Sequence, residues 1–106
     1  MKVWHTDRFT GGFGQVQVTF PLDYTLVAEV DTDSPDEAFR LTNAIEQPWH
    51  LNEEVRLTGE PTRSTSVGDV IVADDNKTLF LVLPVGMKEY HGIPQKFPAN
   101  LYGDLS

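Results

Sequence analysis

The chain has 106 residues, 40% of them hydrophobic, which suffices for one domain with one core and is too short for two ordinary domains. Sixteen acidic residues against eight basic ones give a formal charge of −8, which works against sequence-independent binding of DNA or RNA, where Lys and Arg must neutralise phosphate. Cysteine is absent, so a disulfide framework, a thiol nucleophile and a thiolate metal site are excluded, and the composition fits a reducing compartment.

In chain order, Lys2 to His5 reads as a short opening strand. The stretch from Asp7 to Gln15 is rich in glycine, holds Phe9 and Phe13, and reads as a loop whose two phenylalanines are candidate partner contacts. It is neither a P-loop nor a dinucleotide fingerprint, because it lacks the Lys-Ser/Thr pair of the first and the strand–turn–helix setting of the second. Gln15 to Phe20 alternates polar and apolar residues, and so does Tyr24 to Asp31, which would set Tyr24, Leu26, Ala28 and Val30 on one face of a strand. Ser34-Pro35-Asp36-Glu37 then supplies a capping hydroxyl, a proline at the first helical position and a glutamate three residues after the cap. Ala38, Leu41 and Ile45, with Phe39 beside them, form the apolar stripe of a helix that Pro48 closes near Glu46.

Trp49 to Val55 reads as a turn or an extra helical turn, with Trp49 plugging the bottom of the core. In Arg63-Ser64-Thr65-Ser66-Val67-Gly68-Asp69-Val70 a polar run turns abruptly into a strand: Gly68 supplies backbone freedom and Asp69 can accept from the turn's own amides. Val67 to Ala73 and Thr78 to Val85, separated by Asp74-Asp75-Asn76-Lys77, predict a β-hairpin, and Pro84 marks its second strand as an edge or a bend. The sum is an α+β domain over residues 1–92, a small antiparallel sheet of about four or five strands with one main helix packed on it. Residues 93–106, carrying Phe97, Leu101 and Tyr102 with two prolines, read as an extended C-terminal arm that wraps the domain or orders on binding.

The acidic run Glu29, Asp31, Asp33, Asp36, Glu37 lacks the central glycine of a calcium loop and reads as strand-end solvation and helix capping. His5, His50 and His91 have no close ligand spacing, so neither metal nor cofactor is expected. Ser64 and Ser66 beside Arg63 have no nucleophile elbow around them; their hydroxyls are expected to satisfy turn amides, and Arg63 to pair with a carboxylate of the helix or, as the lesser alternative, to bind a partner's phosphate. A hydrolase using His50 with Asp69 or Glu53 has residue chemistry alone behind it, and no catalytic constellation emerges.

Two stretches carry a resemblance. A helix ending in Asn43-Ala44-Ile45-Glu46-Gln47-Pro48-Trp49, followed by Arg63-Ser64-Thr65-Ser66-Val67-Gly68-Asp69-Val70, resembles a group of small uncharacterised accessory proteins of bacteria, phages and plasmids. The second motif is also loosely similar to the Ser-x-Ser-Val-Ser-Asp-Val signature of YodL-like mobile-element domains, with Gly68 in place of the second-motif serine. The resemblance covers roughly Val27 to Val72 and implies a setting, a phage or mobile-element gene, and no reaction. The motif residues Ser34, Glu37, Trp49, Arg63, Ser64, Ser66, Gly68 and Asp69 are read as architectural.

The resulting expectation is a non-enzymatic accessory protein that binds a host or phage protein in the bacterial cytoplasm, with inhibition of a host defence complex as one concrete version. Phe9, Phe13, Phe97, Leu101 and Tyr102 are the expected contacts. Rival readings are a module that stacks single-stranded nucleic acid on aromatic side chains, and a small structural or assembly protein of a phage. No apolar run approaches the roughly 20 residues of a membrane helix, so no membrane role is expected, and the chain is read as a monomer or a homodimer.

Overall fold

The computed structural model describes residues 1–6, 18–43, 51–59 and 63–97. Strands β1 (Lys2–His5), β2 (Val18–Phe20) and β3 (Thr25–Val30) precede a helix, α1 (Pro35–Thr42). After it come β4 (Val55–Leu57), β5 (Val70–Val72), β6 (Thr78–Val82), β7 (Met87–His91) and β8 (Gln95–Phe97). Six strands form one sheet in the order β4-β3-β1-β5-β6-β7, and every neighbouring pair is antiparallel. Strands β2 and β8 make a separate two-stranded sheet. The fold is α+β, with more strands than the sequence suggested.

The apolar runs of β5 and β6 follow from the layering. Along β5 and β6, Ile71, Phe80 and Val82 point to a cluster shared with Ala38 and Leu41 of α1. Val70, Val72, Leu79 and Leu81 point the other way, against Val18, Phe20 and Phe97 of the small sheet. The helix therefore covers one face of the main sheet and β2–β8 the other. A strand covered on both faces reads as a continuous apolar run, because neither set of alternating side chains meets water. Each fully buried Val, Leu or Phe contributes roughly 1.5–3 kcal/mol.

The helix begins where its cap predicts. Ser34 is extended (φ −111°, ψ 121°), and its hydroxyl accepts from the Glu37 amide at 3.3 Å. Pro35 opens the first turn, Asp36 and Glu37 sit at the positive end of the dipole, and Arg40 pairs with Glu37 one turn on. The helix stops at Thr42, short of the expected end near Glu46, and residues 44–50 lie outside the described residues. Two groups from other segments take up the last carbonyls: Asn52 Nδ2 donates to Leu41 O at 2.8 Å and the Thr65 amide to Thr42 O at 2.9 Å.

One strand expectation is corrected and two are narrowed. Tyr24, Leu26, Ala28 and Val30 do not share a face, because the β1–β3 register slips between Val3 and Trp4 and leaves Val27 as an extra residue. Tyr24 thus joins the small-sheet side, while Ala28 and Val30 join the helix side. The hairpin's second strand takes the bend and not the edge: β6 ends at Val82, the chain turns through Pro84 with Gly86 at φ 73°, and β7 pairs along β6. Finally, residues 95–97, assigned to an arm, are strand β8, paired to β2 with Phe97 fully buried.

Candidate functional site

The run that opens β5 builds the densest polar cluster among the described residues. Asp69 has no exposed surface, yet all of its acceptor capacity is engaged. One oxygen accepts from Arg63 Nη2 at 2.9 Å and from the Thr6 amide at 3.1 Å. The other accepts from Arg63 Nη1 at 2.6 Å and from the Ser66 amide at 2.8 Å. A buried carboxylate is tolerated when a bidentate guanidinium and main-chain N–H groups replace its hydration, and both are present here. Arg63 spends further protons on Thr6 O at 2.8 Å, Ser64 O at 3.0 Å and the Ser66 hydroxyl at 3.3 Å. Among the described residues its ion-pair partner is Asp69 of its own turn.

The cluster ties together elements distant in sequence. His5 Nε2, at the end of β1, lies 3.0 Å from the Thr65 hydroxyl and 3.7 Å from Asp69. Asn43, the helix C-cap, donates from its side-chain amide to Thr65 O. Asn43 thus closes on the run from Arg63 to Ser66. Gly68 sits at φ 95°, a conformation that side chains with a Cβ avoid, and its amide donates to Val82 O at 2.8 Å. Tyr24 donates its phenol proton to Gly68 O at 2.6 Å. Burial, reinforced by the carboxylates of Asp69 and Asp23, pushes the Tyr24 phenol far above its ordinary range, so it stays a neutral donor.

Chemically this arrangement holds a turn in place. Thr65, His5 and Asp69 sit within reach of one another, but Thr65 and Asp69 are wholly buried and His5 nearly so, which keeps a substrate from the Thr65 hydroxyl. Ser64 and Ser66 contribute a carbonyl and a hydroxyl as acceptors for Arg63. Ser34 and Glu37 are the cap and first turn of α1.

Phe97, an expected partner contact, is a core residue instead. Its ring stands edge-on to Tyr24 at 6.1 Å and to Tyr90 at 5.1 Å, beneath the β5–β6 face. Phe9, Phe13, Trp49, Leu101 and Tyr102 lie outside the described residues. Sequence reasoning missed His5, Thr6, Thr65 and Asn43 as partners of the Asp69 cluster. Only the buried alternation of β1 could have pointed to His5.

A second feature lies at the opposite end of β3. A shallow groove of about 880 Å³ is bordered by Glu29, Asp31, Asp33, Glu53, Glu54 and Asp74. Arg56, on the same rim, is engaged by Glu29. The Met1 ammonium, paired with Asp74, and Lys2 also line the groove. Asp31, Asp33, Glu53 and Glu54 form no ion pair among the described residues, and carboxylates outnumber cations along the lining, so the groove is net negative. No described group of His, Asp and Glu could hold a metal ion.

Comparison with known protein families, with curated proteins and with solved structures finds no match. No described helix is long and apolar enough to cross a membrane.

Proposed function

We propose that the chain is a non-enzymatic accessory protein of a phage or mobile element that binds a cationic face of a host or phage protein. The observation that carries the reading is the acidic groove, where Asp31, Asp33, Glu53 and Glu54 form no ion pair among the described residues. Lys and Arg side chains of a partner are the complementary chemistry, and their attraction speeds encounter as well as setting orientation. The Arg63–Asp69 cluster supports the same reading from the other side: its ionisable groups are consumed in holding the fold. The motif resemblance supplies the phage or mobile-element setting, and inhibition of a host defence complex is its concrete version. Phe9, Phe13, Leu101 and Tyr102 are proposed as additional contacts.

The test is retention of bacterial-host proteins on immobilised wild type beside a groove variant carrying Glu53→Lys and Glu54→Lys. A protein held by the wild type, released by salt and lost from the variant supports the proposal. Equal retention by both forms, or none by either, removes it. A truncation after Phe97 tests the aromatic tail separately. Cutting before Ile93, by contrast, would take β8 out of the core.

A further inference from the structure

Strand β7 ends the main sheet, and no described strand pairs along its outer side. The hydrogen bonds that flank the β6–β7 ladder, Gly92 N to Lys77 O and Leu83 N to Gly86 O, fix which residues face inward. Antiparallel alternation then directs the N–H and C=O groups of Lys88 and Tyr90 to β6, and those of Met87, Glu89 and His91 away from the sheet. Such an edge accepts another strand, and the outward residues must become its hydrogen-bonded pairs.

The side chains discriminate between the registers open to a second copy. A two-fold axis through Lys88 sets the ammonium groups of the two copies opposite one another, and one through Glu89 does the same with carboxylates; both are disfavoured. An axis through Tyr90 sets Glu89 of each copy opposite His91 of the other, and brings the Tyr90 rings together as the close, non-hydrogen-bonded pair. Within one copy Glu89 and His91 already sit on the same face, 2.8 Å apart, so the pairing completes an alternating quartet of carboxylates and imidazoles. His91 O accepts from Gln95 Nε2 at 2.9 Å and keeps a second lone pair for the ladder.

We infer that β7 is a self-association edge: two copies of this chain pair antiparallel about Tyr90, joining their sheets into one. Glu89 and His91 set the register. With a strand of five residues the interface is small, so the dimer is weak, with a dissociation constant on the order of 100 µM.

Sedimentation equilibrium across a concentration series tests this with Glu89→Lys, His91→Glu and their equimolar mixture. Both side chains are largely exposed, so the single variants keep the fold, which circular dichroism checks. The wild type should move toward dimer mass, and each variant alone should associate about tenfold more weakly or worse. In the mixture, the lysine of E89K faces the glutamate of H91E, while the native Glu89 and His91 face each other. Association should then return to the wild-type level. A monomeric wild type at millimolar concentration, variants that dimerise as well as the wild type, or a mixture that stays monomeric would each overturn the inference.

Discussion

At Asp69 a single buried carboxylate holds a turn, the end of β1 and an arginine in one arrangement. Arg63→Ala leaves that charge with two main-chain amides and the nearby His5 ring, and it should cost about 2–4 kcal/mol in urea denaturation. Combined with Asp69→Asn the loss should fall well short of the sum of the single losses, because the two side chains act as a pair. Gly68→Ala forces a Cβ into φ 95° and should cost about 1–3 kcal/mol, with no change in the groove chemistry. Asp75 behaves differently. The amides of Thr78 and Lys77, then the Thr78 hydroxyl, hold its carboxyl below the usual carboxylate range. Its stabilising effect is therefore complete above the unfolded value, about pH 4, and is lost as pH falls through the folded one. Asp75→Asn should flatten the acid side of a stability–pH profile, readable from thermal unfolding at a series of pH values.

Among the elements, β8 illustrates what a sequence hides. Phe97→Ala should cost about 3–5 kcal/mol, since it empties a site walled by Tyr24, Tyr90 and the β5–β6 face, and guanidinium unfolding measures it. A residue meant as a contact would cost almost nothing. The helix start was legible because its signals are local: Ser34, Pro35 and Glu37 act within one turn. Strands β5 and β6 were legible because burial on both faces leaves unbroken apolar runs. Strands β4 and β7 were not, as VRL and MKEYH are edge sequences with too few buried positions to show a period. The Asp69 cluster was half legible. The turn amide lies three residues away, whereas the Thr6 amide and His5 come from β1 across the sheet, a neighbourhood that no local pattern encodes.

Taken whole, the molecule sandwiches one antiparallel sheet between a helix and a two-stranded cap, and concentrates acidic side chains at one end. A partner drawn to that end should associate more slowly as salt rises, and surface plasmon resonance at several ionic strengths would show it. The cap has a temporal consequence. Phe20 is made early, but its strand partner Gln95 lies near the other end of the described chain. At synthesis speeds of roughly 5–20 residues per second, β2 waits several seconds for β8. At the end of that interval, once β6 is made and before β8 follows, the side of the sheet bearing Val70, Val72, Leu79 and Leu81 lacks β8, half of its cover. A chain cut short before β8 would leave that apolar face bare, the kind of surface on which chaperones and proteases act.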